Sequence, residues 1–362
     1  MGWQGIEGHD AVVARFAAAE ARGRIAGTYL FLGPEGVGKG AFARALAKAL
    51  VCLDPRPGLV PCGACASCVQ AAAGSHPDID VVAKPEDRAT IPLEALIGDR
   101  ENRSREGLCW RILLRPALSR RKVAIILDAD NLSEEGANCL LKTLEEPPDG
   151  VVIILVGTAA ERQLPTIRSR AQTVRFGALE PGVVAGAIRR GIASGAIDDA
   201  SADDAAIEGA AARSGGSIDR ARRFLDAEMT AFRTRLLELL SARPTAGVEV
   251  SREVQAVVEA AGKEAPPRRA RLRVVLGVAL EFYREALRHT AGGPAAAADD
   301  RALSRAVMAW RGSAEEAVAA VVHTLDALDG IERNAHLPTL IDAWTARLET
   351  VAAAAAGPVG RV

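Results

Sequence analysis

The feature that most narrows the possible fold is a strand-like run, Thr28-Tyr29-Leu30-Phe31-Leu32, followed at once by Gly33-Pro34-Glu35-Gly36-Val37-Gly38-Lys39-Gly40 and then by Ala41–Val51. The first run reads as a buried strand, and the last has helical spacing. The glycine-rich run between them fits the pattern G-x-x-x-x-G-K-[ST], whose backbone N–H groups cradle phosphates at a helix N-terminus. Strand, loop and helix in this order are the context such a loop requires, and they commit the chain to an α/β sheet. The final position departs from the pattern. It is Gly40, where a hydroxyl would supply a ligand to magnesium. Two readings stay open at this point: a working nucleotide loop, or a relic that is closed or empty.

Further strands are predicted at Asp78–Val82, Val123–Leu127, Val151–Val156 and Thr173–Phe176, with helices at 9–23 and 133–144, the latter capped by Ser133. Strands alternating with helices imply a mostly parallel sheet covered on both faces. After about residue 178 the strand signal stops. Short helices are expected at 181–194, 201–213 and 217–229. Longer ones follow at 229–240, 249–261, 269–289, 300–310, 314–328 and 337–354. Residues 289–300 and Pro266-Pro267-Arg268-Arg269 read as loops, and the last residues as a frayed tail. A chain of 362 residues should divide into two or three domains. Its 4% aromatic content argues against a stacking platform for single-stranded nucleic acid, and its net charge of −1 leaves polyanionic partners open. No aliphatic run approaches the roughly 20 residues of a membrane span. The start MGWQGIEGHD lacks a basic and then apolar leader, and Ile6 disfavours acylation at Gly2. A cytoplasmic protein without a membrane partner is expected.

Cys52, Cys62, Cys65 and Cys68 are spaced C-x9-C-x2-C-x2-C. Four soft sulfur ligands within a short stretch favour a closed, tetrahedral, structural zinc site. Reduced thiols, two disulfides or an iron–sulfur cluster are the alternatives. Cys109 and Cys139 read as ordinary buried residues.

Asn138–Pro148 reads NCLLKTLEEPP, preceded by IILDAD and followed by VVIILVGTAAERQLPTIRSRAQ. With the phosphate loop and a four-cysteine module just after its helix, this order resembles the bacterial clamp-loader branch of the AAA+ ATPases, and within it the delta-prime type of DNA polymerase III subunit. The resemblance is strong over residues 9–178 and only architectural beyond. It implies an α/β, RecA-like AAA+ parallel sheet at 1–178 with a zinc module inserted at 52–68. A small helical lid at 179–230 and an all-α collar for oligomerisation at 231–354 would follow, then a flexible tail at 355–362.

The resemblance also assigns roles. Gly33, Gly36, Gly38, Lys39 and Gly40 would line the nucleotide phosphates, Asp128 would position magnesium, and Thr158 would sense the γ-phosphate; a strand-ending acid and a satisfied loop hydroxyl are the plainer readings. Three positions depart from a hydrolysing relative. Gly40 lacks the hydroxyl, Ala129 stands where a glutamate polarises water, and Asp219 stands where a second sensor arginine belongs. Asp130 falls one residue beyond and on a strand end would point to the opposite side. Ser169-Arg170-Ala171 matches the element that plants an arginine finger in a neighbour's site; solvated arginines are the alternative. The Glu145-Glu146-Pro147-Pro148 element reads as a helix stop without catalysis. The basic stretch from Arg100 to Lys122 reads as a solvated face or as a contact to duplex phosphates.

The expected function is a hydrolysis-impaired stator, with no ATPase activity of its own, donating Arg170 to a neighbouring ATPase during sliding-clamp loading on primed DNA. Its partners would be gamma/tau and delta type subunits, the sliding clamp and, through the assembly, primed DNA. Its cofactors would be structural zinc, with ATP or ADP and magnesium open. The alternatives are an active gamma/tau-type ATPase, and a zinc-containing nucleotide-binding module unrelated to replication.

Overall fold

The computed structural model describes residues 3–354 except 86–87, 89, 103–104, 198–202, 244–245 and 294–299. The predicted tail at 355–362, half of the loop predicted at 289–300, and Arg103 of the basic stretch lie outside the described residues. The chain separates into two compact units: Met1–Asp198 with Ser214–Ala221, and Asp199–Arg213 with Arg222–Val362.

The first unit is built on five parallel strands, β1 (Thr28–Leu32), β2 (Ile79–Val82), β3 (Lys122–Ile126), β4 (Val151–Val156) and β5 (Gln172–Arg175), in the order β2-β3-β4-β1-β5. Every residue of the three central strands is buried. This is why their sequences are unbroken apolar runs instead of alternating ones. Alternation still divides the two faces. Leu30 and Leu32 join Ala124, Ile126, Ile153 and Leu155 in one core layer. Tyr29 and Phe31 turn the other way, into an aromatic cluster with Phe16, Phe42 and Phe176.

The helices of this unit begin with α1 (Asp10–Ala21), α2 (Lys39–Val51) and α3 (Ala66–Ala72). Next come α4 (Leu93–Ile97), α5 (Gly107–Leu113), α6 (Glu134–Glu145), α7 (Pro165–Arg168) and α8 (Pro181–Ala193). Ser133 caps α6 as expected, its hydroxyl accepting from the Gly136 N–H at 3.1 Å. In a parallel sheet all strand ends of one kind lie along one edge. The carboxyl ends of β1, β3 and β4 therefore bring residues 33–40, 127–130 and 157–158 together.

The second unit is helical: α9 (Asp204–Arg213), the end of α10 (Ile218–Leu225), α11 (Ala227–Ser241), α12 (Gly247–Ala260), α13 (Ala265–Thr290), α14 (Arg301–Ala309), α15 (Ala314–Glu332) and α16 (Leu337–Ala354). Residues 266–269, expected as a loop, form the first turn of α13 instead. Proline is tolerated there because a first-turn N–H has no intrahelical acceptor to lose. The core of the unit is apolar, with a buried ion pair in it. Arg233 grips Asp300 at 2.7 and 3.3 Å and reaches Glu281 at 3.1 Å, while Asp300 also caps α14 through the Leu303 N–H. No helix among the described residues is long and apolar enough to cross a membrane.

Candidate functional site

The glycine loop adopts the backbone its sequence requires. Gly36 and Gly38 both have positive φ, 74° and 89°, and Gly38 caps α2 in the left-handed region. The Gly33 N–H donates to the Thr158 carbonyl at 3.0 Å, tying the loop to the end of β4. Lys39, however, is turned back on its own loop. Its ammonium donates to the carbonyls of Gly33 at 2.7 Å and Pro34 at 2.6 Å, and the side chain is buried. Burial lowers its pKa, and the carboxylates of Asp130, Glu35, Asp219 and Asp128 act in the opposite direction. Four carboxylates therefore act electrostatically on this one lysine. Like charge of that kind repels phosphate.

A second segment rests on the loop. Ile218 N–H donates to the Gly36 carbonyl at 2.8 Å, and a Cβ built on Gly36 would lie 2.2 Å from the Ser217 hydroxyl and 3.0 Å from Asp219 Cβ. Asp219 is thus beside the loop, as its sequence position implied. Gly40 is not forced by crowding. A Cβ there would meet only Leu127, at 3.4 Å.

Asp128 ends the β3 segment with φ 55°, and residues 129–131 form a short 3-10 turn. The turn carries Asp130 away from Asp128 and across to β4. Its carboxylate accepts from the Thr158 N–H at 2.9 Å and the Thr158 hydroxyl at 2.6 Å, and also from the Gln163 amide. Thr158, the expected phosphate sensor, is thus engaged with Asp130. From the sequence, Asp130 is expected to point to the side opposite Asp128. The sequence does not reveal the lock, because Thr158 and Gln163 lie 28 and 33 residues further along the chain.

Arg170 follows α7. Its Nε donates to Glu145 Oε1 at 2.6 Å, and Nη1 donates to the Thr166 carbonyl at 2.8 Å and the Ser169 hydroxyl at 3.1 Å. The side chain keeps 28% of its surface exposed and Glu145 keeps 49%. The Glu-Glu-Pro-Pro element thus has a task beyond ending α6: it holds the arginine of the Ser-Arg-Ala element. The basic stretch behaves less uniformly. Arg111 and Lys122 pair with Asp80, and Arg121 pairs with Glu20 at 2.7 Å. Lys122 is buried, so these three residues are engaged within the unit.

The four cysteines converge. Cys52 is the C-cap of α2 and Cys65 the N-cap of α3, and all four sulfurs lie within 4.8 Å of one another. Cys52 and Cys65 sulfurs are 4.0 Å apart, and those of Cys62 and Cys68 are 3.9 Å apart. Four sulfurs about 2.3 Å from a central zinc would be about 3.8 Å apart, so the set fits that ion. Backbone N–H groups of Cys62, Cys65 and Cys68 donate to the sulfurs of Cys52, Cys62 and Cys65 at 3.3–3.4 Å, which favours thiolates. Ser67 ties the module to the end of α2 and to the segment before β2: it donates to the Val51 carbonyl at 2.7 Å and meets His76 at 2.8 Å. Cys109 and Cys139, expected as buried, are half-buried; the Cys109 thiol donates to the Cys139 carbonyl, and burial pushes its pKa up to about 11.

Residues 8–180 match the family described as DNA polymerase III, delta subunit. The DNA polymerase III subunit gamma/tau of Mycobacterium tuberculosis is 39% identical over 176 residues, 49% of this chain and 28% of that protein. Subunit delta' of Bacillus subtilis is 36% identical over 158 residues, 44% of each chain. Subunit delta' of Pseudomonas aeruginosa is 35% identical over 149 residues, 41% of this chain and 42% of that one. The chain spans less than half the length of these relatives. Taken with the strand order and the glycine loop, these matches show that residues 8–180 are similar to subunits of DNA polymerase III, of both the gamma/tau and the delta' kind.

Proposed function

We propose that this chain is a clamp-loader subunit of DNA polymerase III that acts as a stator: it hydrolyses no ATP itself and donates Arg170 to a neighbouring ATPase subunit. The observation that carries this reading is the state of the home loop. Lys39 is spent on the carbonyls of Gly33 and Pro34 and surrounded by Asp130, Glu35, Asp219 and Asp128. The residues that would complete hydrolysis are absent, with Gly40 in place of a hydroxyl, Ala129 in place of a water-activating acid, and Asp219 in place of a sensor arginine. Losing a positioned catalytic group costs several kcal/mol of barrier lowering, roughly 2.7–4 for one donor. Three such losses leave no hydrolysis of consequence.

Arg170 supports the other half of the reading. A guanidinium stabilises charge on a transferred phosphoryl group when planted across a subunit boundary, and this one is part-exposed on a surface element. The partners are gamma/tau and delta type subunits, the sliding clamp and, through the assembly, primed DNA in the cytoplasm. The helical unit would supply the oligomer contacts. α15 leaves Val318, Val322 and Leu325 exposed at i, i+4 and i+7 spacing, an apolar stripe suited to another helix. Zinc held by Cys52, Cys62, Cys65 and Cys68 would be structural, since all four positions are taken by protein and none is open to substrate.

A second reading is favoured by one observation: the 39% identity to a gamma/tau subunit exceeds the identities to the delta' subunits. That would make the chain an active ATPase, with nucleotide and magnesium in its own loop. Steady-state turnover of the isolated chain separates the two, and the stator reading requires background rates. In the reconstituted loader, Arg170→Ala should lower clamp- and DNA-stimulated ATP hydrolysis by roughly 10³-fold or more at the site it serves, with assembly unchanged. An unaltered rate would remove Arg170 from this role.

A further inference from the structure

The charge pattern around the glycine loop has a counterpart on the other side of β1. A cavity of about 690 Å³ lies against Leu32, Ser169 and Thr173 and is lined by the guanidinium residues Arg15 of α1, Arg168 of α7 and Arg175 of β5. A smaller adjoining cavity, about 250 Å³, shares Arg15 and adds Arg22 and Arg24. No carboxylate lines either one. Elsewhere in this unit arginines near acids pair with them, as Arg111, Arg121, Arg170 and Arg190 do. Among the described residues, Arg15, Arg168 and Arg175 have no ion-pair partner. All three side chains are exposed and screened by water; guanidinium groups cannot shed their protons, so an anion in the cavity is the partner that would pair with them. The Thr173 hydroxyl beside them is likewise without a hydrogen bond among the described residues.

From this we infer that the α1–α7–β5 cavity binds an oligophosphate anion, three linked phosphate groups as in a nucleotide tail or an inorganic chain of that length. Planar guanidinium forks pair with phosphate oxygens two at a time, and three of them around one cavity suit contiguous phosphates better than a single one. The anion site that the sequence places at Lys39 is ringed by acids, whereas this one has three unpaired cations and none. The inference does not depend on the subunit reading above. It concerns the chain alone, and a failed loader assay would leave it untouched.

The test is calorimetric titration of the full chain with sodium tripolyphosphate at low salt. One saturable site is expected, weakening steeply as salt rises. The variant Arg15→Ala/Arg168→Ala/Arg175→Ala should lose at least ~10-fold in affinity, while Lys39→Ala should stay within about twofold of the parent. ATP without magnesium should bind comparably if the phosphate tail is what is read. Should the triple variant fail to fold, Arg175→Gln alone and amide exchange of the parent serve instead: tripolyphosphate should slow exchange at 172–175. No binding by the parent overturns the inference, and so does binding that survives the triple variant. Loss of binding in Lys39→Ala would move the anion to the glycine loop, with the same consequence.

Discussion

Asp78 sits at the entrance to β2, fully buried, and its carboxylate accepts four hydrogen bonds: from the N–H groups of Ala117 (2.6 Å), Leu118 (2.9 Å) and Ser119 (2.8 Å), and from the Ser119 hydroxyl (2.8 Å). Burial by itself would raise its pKa. The bonds from Ala117, Ser119 and Leu118 outweigh that and hold it below the ordinary carboxylate value. A carboxylate with a depressed folded pKa contributes stability that is complete above its unfolded pKa, about 3.9, and is lost as pH falls through the lower folded value. Asp78→Asn replaces an acceptor with an NH2 group facing N–H donors and should cost roughly 2–4 kcal/mol at pH 7. Urea unfolding followed by circular dichroism would measure this. The gap between parent and variant should begin to narrow below about pH 3.9 and close only as pH falls through the lower folded value, where the parent's carboxylate is protonated. A gap that stayed constant to pH 2 would show that packing, not the charged acceptor, is what was lost. None of this is readable from the chain, because the donors lie 39 to 41 residues away. The same is true of the Asp130–Thr158 and Arg170–Glu145 contacts. Residue type announces a polar group, and only the fold says what it meets.

At the scale of elements the sequence is far more informative, for a physical reason. Strands β1, β3 and β4 are buried on both faces, so they are unbroken apolar runs, and the expected bounds agree with the observed ones to within a residue. The long helices of the second unit were also legible, since each buries an apolar stripe against its neighbours. What escaped were the short pieces. α4 and α5 are five and seven residues long, less than two full turns, too short for an apolar repeat to declare itself. They are held instead by specific contacts: Asp99 accepts from the N–H groups of Glu101 and Asn102, and Gly107 lies against the backbone at Leu96, Ile97 and Gly98, where a Cβ would come within 2.5–2.7 Å of main-chain atoms. α3 has no separate helical signature, because it is seven residues long and its N-cap and third residue are cysteines that also read as metal ligands. Zinc binding by this element should be a folding event. One zinc per chain is expected on metal analysis. Chelation, or Cys65→Ser, should lower the melting temperature of the first unit by several degrees, as a loss of roughly 1–2 kcal/mol or more does for a domain of this size. Equal melting curves with and without chelator would remove the metal from the fold.

For the molecule as a whole, the proposed stator function would turn on whether Arg170 can leave Glu145. The pair is close, but Glu145 is half-exposed and the arginine more than a quarter exposed, so water competes for both partners. Exposed pairs contribute about 0–1 kcal/mol, because desolvation is slight and two side chains must be held still. A phosphoryl group with developing charge in a water-excluded interface offers a guanidinium far more than that. On the proposed stator reading, the intrachain contact would be a resting position that orients Arg170 just after α7 until a neighbour docks. Two consequences separate this from a structural role. Glu145→Gln should change the unfolding free energy by less than about 1 kcal/mol, read from urea curves. In the reconstituted loader it should leave stimulated ATP hydrolysis near the parental rate, because the arginine remains and only its resting partner is weakened. Arg170→Lys should lose most of the rate despite keeping the charge, since a lysine cannot present two parallel donors to a phosphoryl group. If Glu145→Gln instead unfolds the first unit, or Arg170→Lys works as well as arginine, the contact is part of the scaffold and the charge exported to a neighbour must come from another residue.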